Sequence, residues 1–301
     1  VVAIDIERAW KPSGKPSVRR MVGWQGLGGV PPTALVLAGI VSVQVGAAVA
    51  THLFASVGPG GAVTMRLVFG GIVLLVLWRS ALRIERRALP VALAFGAVLA
   101  LMNLCFYEAI DRIPLGMAVT LEFLGPLAIA LAGSRRWIDP VWALLAGGGV
   151  FMLTRSDGQV VWSGIFLALA AGVCWAGYIL LSAKLGERTS GGGGLAIAMA
   201  FGGILMMPVG IVEAGTALLQ PAVLAAGFAV AMLSSVVPYS LELEALRRMP
   251  ARIFGVLMSL EPAVAALAGL LVLGQILNFG QWAGVVCVVA ASAGATRTAS
   301  A

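Results

Sequence analysis

From residue 34 onward the chain is a series of long apolar runs, broken by short polar, Pro/Gly or Arg clusters. Ten runs can be marked, at 34–57, 61–79, 90–110, 115–133, 138–154, 163–183, 194–214, 222–245, 251–273 and 277–296. Each has about the 17–25 residues that a helix needs to cross the hydrocarbon core of a bilayer. The connections at 58–61 and 274–277 are very short. The pattern predicts an all-α integral membrane protein with ten transmembrane helices.

The runs contain an internal repeat. FYEAIDRIPLGMAVTLEFLGPLAIALAG at 106–133 aligns without gaps on ELEALRRMPARIFGVLMSLEPAVAALAG at 242–269, with a constant spacing of 136 residues. Eleven of the 28 columns are identical, among them Glu108 with Glu244, Pro114 with Pro250, Pro126 with Pro262 and Gly133 with Gly269. The repeat divides the chain into a basic tail at 1–33, five predicted helices at 34–157, five more at 158–296 and a short tail at 297–301. Because five is odd, the second half enters the membrane from the opposite face. Inverted repeats of this kind are the architecture of many secondary transporters, where two conformations of opposite polarity expose a midplane site in turn.

Composition and charge agree with this. Hydrophobic residues make up 60% of the chain, charged residues 11%, and the mean hydropathy is +1.01. A soluble domain has about 25% charged residues. With the N-terminus inside, one side of the membrane holds 17 of the Lys and Arg residues, from Arg8 in the tail through Arg79, Arg86, Arg136, Lys184, Arg247 and Arg252 to Arg297. The opposite side holds Arg112 and Arg155, and Arg66 lies within a helix. Basic residues collect on the cytoplasmic side, so both termini are expected there, and the net charge of +7 reflects topology rather than nucleic-acid binding. The tail lacks the apolar core of a signal peptide and is expected to be disordered. Cys105, Cys174 and Cys287 fall within spans without CxxC or histidine spacing, which argues against disulfide or metal roles. There is no Walker motif to support ATP-driven transport, and Gly191–Gly194 read as a flexible connection. No cofactor is expected.

Several strings carry a family resemblance: Gly116 to Ala128, Arg66 within GAVTMRLVFGG, CWAGYILLSAK at Cys174 to Lys184, and the stretch from 237 to 269. Over roughly residues 35–296 the chain resembles EamA-domain members of the drug/metabolite transporter superfamily. On the LEFLGP, PYSLE and MSLEPA strings it most resembles the threonine/homoserine exporter subgroup of bacterial inner membranes. The resemblance implies a multi-pass inner-membrane exporter of an amino acid. Relatives often carry a lysine where this chain has Thr51, which would remove a cationic contact.

An ionisable group near the bilayer centre costs at least about 2.5–3.5 kcal/mol, so it normally faces a polar cavity or a partner. Glu122 and Glu261 are read as the deepest acids. Each either binds a substrate ammonium or carries a coupling proton, or else it caps backbone groups freed by Pro126 or Pro262. They occupy different repeat columns, Glu122 opposite Met258 and Glu261 opposite Gly125, so a site using both is asymmetric. Arg66 either holds a substrate carboxylate or pairs with Glu108. Glu244 with Arg247 or Arg248 is the inner counterpart of that pair, and together these form candidate gate ion pairs. Gln44, Asn103, Tyr107, Thr120, Trp175, Tyr178, Tyr239 and Ser259 complete the candidate substrate lining, with helix-to-helix hydrogen bonding as the structural alternative for each. His52 reads as an interfacial histidine.

Two opposite charges with hydroxyl and amide neighbours suit a zwitterion. The expectation is therefore a secondary exporter of an amino acid such as threonine or homoserine, driven by proton antiport, with the lipid bilayer, protons and a small molecule as its partners. The alternative is a broad-substrate exporter of drugs or aromatic metabolites. An intramembrane enzyme would need a convergent nucleophile and base, or a metal set, that this chain does not offer. A sensor would usually carry a soluble domain. The sequence leaves monomer and homodimer equally open.

Overall fold

The computed structural model describes residues 29–79, 86–134, 136–154, 161–186, 189 and 192–299. Most of the expected basic tail lies outside these residues, as do Arg83, Arg135, Arg155, Arg188 and Gly191.

Every regular element among the described residues is helical. In chain order these are α1 (Pro32–Leu77), α2 (Leu89–Ile110), α3 (Leu115–Glu122), α4 (Leu124–Gly133), α5 (Asp139–Thr154), α6 (Trp162–Gly186) and α7 (Gly193–Ala214). A 3-10 turn at Gly215–Leu219 leads to α8 (Pro221–Ala231), a π-helical turn (Met232–Val236), α9 (Val237–Leu246), α10 (Ala251–Met258), α11 (Glu261–Leu273) and α12 (Phe279–Ala299). Taking α3 with α4, α8 with α9, and α10 with α11, eight helical stretches among the described residues are long and apolar enough to cross a membrane. The apolar α5 is shorter, at 16 residues. The protein is an all-α, multi-pass membrane protein. Large apolar side chains such as Val212, Leu271 and Phe279, each more than 80% exposed, point outward where lipid would cover them. The interior is rich in small residues, including Ala47, Ala48, Ala50, Ala62, Ala265 and Ala266, which let helix backbones approach closely where lipid supplies no hydrophobic drive.

The 46-residue α1 joins two predicted runs. Gly58 breaks it with φ 68° and ψ 171°, a conformation essentially reserved for glycine, and Pro59 then opens a second helical arm with its preset φ. The Glu213 carboxylate, from the end of α7, fills the space where a Gly58 side chain would be and accepts the Gly61 N–H at 3.2 Å. It thereby caps the positive N-terminal end of the second arm.

Three runs expected to be continuous are interrupted, and the cause is proline. Pro126, Pro238 and Pro262 have no N–H for the carbonyl four residues earlier. The helix accordingly breaks at Phe123, passes through the π turn before Val237, and breaks at Ser259–Leu260. The breaks follow the repeat. α2 and α9 end at Ile110 and Leu246, α3 and α10 start at Leu115 and Ala251, and these two end at Glu122 and Met258, always 136 residues apart. Pro114 and Pro250 precede them in nearly identical conformations, φ −54°, ψ 141° and φ −59°, ψ 139°.

Contacts between the halves are reciprocal. The second arm of α1 crosses α7 where the Cβ position of Gly71 faces Ala200 Cα at 2.9 Å and that of Gly203 faces the Val68 N at 3.1 Å. Both glycines lie in the shared string Phe-Gly-Gly-Ile, at 69–72 and 201–204. In the same way α5 and α12 meet with Gly149 against the Gly284 carbonyl at 2.8 Å and Gly284 against the Gly149 carbonyl at 2.7 Å.

Candidate functional site

Arg66 is buried on the second arm of α1. Its Nε donates to Ser235 Oγ at 3.0 Å, its Nη2 to the Ser234 carbonyl at 2.7 Å and its Nη1 to the Tyr107 hydroxyl at 3.4 Å. The guanidinium also lies over the Tyr107 ring, 5.6 Å from its centroid, a cation–π contact. No carboxylate of the described residues forms an ion pair with it. The expected pairing with Glu108 is not present, because Glu108 meets Arg112, four residues on, at 2.5 Å. A guanidinium carries more N–H groups than the three engaged here, so part of the fork is unspent.

Glu122 and Glu261 sit at the two helix interruptions, the last residue of α3 and the first of α11. Both are buried, and among the described residues neither has a hydrogen bond or ion pair. Arg66 is within electrostatic reach of Glu122 and Tyr239, and Glu261 is within reach of Glu122 and Glu242. One charged neighbourhood therefore joins α1, α3, α9 and α11. Tyr178 on α6 belongs to it through Tyr239 and Glu242, and its ring packs on Phe95 at 4.7 Å between centroids. Trp175, on the same helix, meets Phe123, the residue after Glu122, edge-on at 5.3 Å.

The uncharged candidates divide into two groups. Thr120 donates to the Gly116 carbonyl, Ser259 to Val256 and Asn103 to Leu99, all on their own helices, and Thr51 likewise bonds Ala48. The three hydroxyl donors are spent locally, as is one of the two amide N–H groups of Asn103. Gln44 is 4% exposed and its Oε1 has no hydrogen-bond donor among the described residues, which is an uncommon state for a buried acceptor. His52 is exposed.

The ion pairs that Glu108 and Glu244 actually form both lie at helix ends, and only the inner one is an expected gate pair. Glu108 with Arg112 closes α2, and Glu244 with Arg248 at 2.6 Å, and with Arg247 at 3.5 Å, closes α9. The first pair stays within one helix end, whereas Arg248 also donates to the Val30 carbonyl at 3.2 Å, tying α9 to the start of α1. Arg112 and Arg248 occupy the same repeat column.

Sequence reasoning missed Ser234, Ser235, Glu242, Glu213 and Arg112. Glu242 lies three residues after Tyr239 on one helix face, with its carboxylate 3.7 Å from the Cβ position of Gly39, so helical spacing from Tyr239 was an available signal. Arg112 was one repeat step from Arg248. Groups of three or more His, Cys, Asp or Glu placed to hold a metal do not occur among the described residues.

Comparison with known proteins gives the family of the chain. Residues 162–297 match the EamA-like transporter family. Over 288 residues the chain is 41% identical to the threonine/homoserine exporter RhtA of Escherichia coli (strain K12), covering 94% of this chain and 95% of the relative. The chain belongs to the EamA transporter family. The RhtA protein of Salmonella typhimurium (strain LT2) is 42% identical over 89% of this chain and 92% of its own length. The uncharacterized transporter YwfM of Bacillus subtilis (strain 168) is 25% identical over 74% and 79%. A solved crystal structure at 20% identity superposes with a TM-score of 0.62 over 89% of this chain and 98% of the other, a likeness of fold alone. As an EamA protein of the drug/metabolite transporter superfamily, closely related to the RhtA exporters, the chain is a secondary transporter and not an enzyme. It handles a small molecule across a lipid bilayer.

Proposed function

We propose that this EamA transporter exports a small zwitterionic amino acid of the threonine/homoserine kind across the bacterial inner membrane, in antiport with protons. The single observation that carries this is the buried Arg66, with part of its fork unspent, within electrostatic reach of Glu122, a buried carboxylate with no hydrogen bond or ion pair among the described residues. Arg66 receives the substrate carboxylate and Glu122 its ammonium group. Glu261 and Glu242 are left as the proton carriers. Several basic groups would be needed for a phosphorylated substrate, and Arg66 is the one buried cation among the described residues. The substrate name follows the relatives, which are threonine/homoserine exporters.

The transport cycle we infer is alternating access by two inverted five-helix repeats, 34–157 and 158–296. Ten spans result when α1 is counted as two arms about Gly58 and α5 as a short span. The 136-residue spacing of helix ends and the reciprocal glycine contacts support a two-fold relation between the halves. Arg79, Arg136, Lys184, Arg247, Arg248, Arg252 and Arg297 fall at one end of the helices and Arg112 at the other, which supports cytoplasmic termini.

Transport of labelled threonine in proteoliposomes tests the site. Arg66→Gln and Glu122→Gln are each expected to lower it at least about tenfold, the scale of losing a hydrogen bond to a charged group. Transport unchanged by both substitutions would remove the site assignment. Wild-type vesicles that move no amino acid would remove the substrate class.

A further inference from the structure

Two neighbouring carbonyls within the apolar Pro221–Leu246 span lose their helical donors for different reasons. In the π turn the Val237 N–H bonds back to the Met232 carbonyl, so the Leu233 carbonyl loses the partner it would have in an α-helix. The Ser234 carbonyl loses its partner because the residue four positions on is Pro238. Unbonded carbonyls are costly in a bilayer, and both are claimed by the other half of the protein. Ser42 Oγ donates to the Leu233 carbonyl at 2.7 Å, and Arg66 Nη2 donates to that of Ser234 at 2.7 Å. The adjoining Ser235 Oγ accepts Arg66 Nε at 3.0 Å.

Nε and Nη2 form one edge of the guanidinium plane. With that edge clamped on Ser234 and Ser235, and one Nη1 N–H given to the Tyr107 hydroxyl at 3.4 Å, the remaining N–H groups of Nη1 and Nη2 are the part left to meet a ligand, and the two nitrogens have the spacing of a carboxylate. We infer that Pro238 is a positioning residue for substrate binding: by relieving the Ser234 carbonyl, it creates the acceptor that fixes the orientation of Arg66. This rests on the assignment of Arg66 to the substrate carboxylate made above.

The distribution of the two residues between the repeats supports the link. Prolines that shape the fold recur in both halves, as Pro114 with Pro250 and Pro126 with Pro262. Pro238 does not recur, since the residue 136 positions earlier is Met102. Arg66 does not recur either: three residues before the Phe-Gly-Gly-Ile string of the second half stands Ala198. The cation and the proline that serves it occur once each, and they meet.

The test is a double-mutant cycle on the purified full-length transporter in proteoliposomes, with threonine as substrate. Pro238→Ala returns an N–H that competes with Arg66 for the Ser234 carbonyl. It is expected to raise the apparent KM about tenfold, the factor set by one charge-assisted hydrogen bond, with the maximal rate within about twofold. Ser235→Ala, which removes the other clamp without touching the helix register, is expected to act in the same direction. In the Arg66→Gln background neither substitution should change KM further. A proline that only bends the helix would instead lower the maximal rate at constant KM, or add its full effect to that of Arg66→Gln, and either result overturns the inference. If Arg66→Gln leaves KM unchanged, the substrate assignment of Arg66 falls, and this inference falls with it. If Arg66→Gln raises KM while Pro238→Ala and Ser235→Ala do not, this inference falls alone.

Discussion

Polar side chains inside a membrane protein differ by where their hydrogen bonds end. Thr120 and Ser259 are both almost fully buried, yet each hydroxyl turns back to a carbonyl on its own helix. Bonds of this kind in membrane helices are worth about 0.6 kcal/mol on average, so Thr120→Val and Ser259→Ala are expected to leave threonine transport within about twofold of wild type. Gln44 is the opposite case, a buried amide whose Oε1 has no donor among the described residues. Replacing an unsatisfied buried group by an apolar one of similar shape relieves its desolvation cost. Gln44→Leu is therefore expected to keep or raise the thermal unfolding midpoint in detergent while lowering transport at least about fivefold. A fall in both quantities together would make Gln44 structural. The sequence supplied all three residues as candidates with no means of separating them, because neither residue type nor spacing shows which way a hydroxyl turns. It also offered Glu108 to Arg66 on depth alone, when Arg112, one helical turn away on the same chain segment, was the nearer cation.

At the level of elements, the apolar runs were legible because a bilayer imposes one length and one composition on every span. What could not be read from them was continuity. Pro126, Pro238 and Pro262 stand inside apolar runs, and only packing decides whether a proline bends a helix or divides it. The reverse error is possible at Gly58, where the hydrogen-bond pattern runs on through a residue whose backbone is not helical. The clear signal there is Gly-Pro-Gly-Gly at 58–61, which combines a residue permitting positive φ with a helix-starting proline. Gly58→Ala should cost about 1–3 kcal/mol from the backbone conformation alone, and its methyl group would meet the Glu213 carboxylate. Thermal unfolding in detergent should show the loss, and Glu213→Ala in the same chain should recover the part that arises from the collision but not the part due to φ. Equal stability of Gly58→Ala and wild type would mean that the turn relaxes without resistance.

For the whole molecule, the repeat column shared by Arg112 and Arg248 turns the proposed inverted architecture into a measurable statement. Each arginine pairs with a glutamate four residues before it, and each lies at the end of corresponding helices. In the proposed ten-span arrangement an odd number of spans separates them, which would put them on opposite membrane faces. Both side chains are partly exposed, 34% and 24%, so each pair is worth only about 0.3–0.5 kcal/mol, and replacing Arg248 also removes its bond to the Val30 carbonyl. In a background with Cys105, Cys174 and Cys287 changed to alanine, Arg112→Cys and Arg248→Cys can be probed with a membrane-impermeant maleimide. Cysteine at position 112 is expected to react in intact cells and cysteine at position 248 only after the inner membrane is opened. Labelling of both from the same side would mean an even number of spans between them, and the two halves would then be parallel. Alternating access through equivalent outer and inner hairpins would lose its structural basis, because a parallel pair of repeats presents both hairpins to one compartment. Labelling in the reverse order would keep the inverted relation and move both termini to the outside, against the accumulation of Arg79, Arg136, Lys184, Arg247, Arg252 and Arg297 at one end.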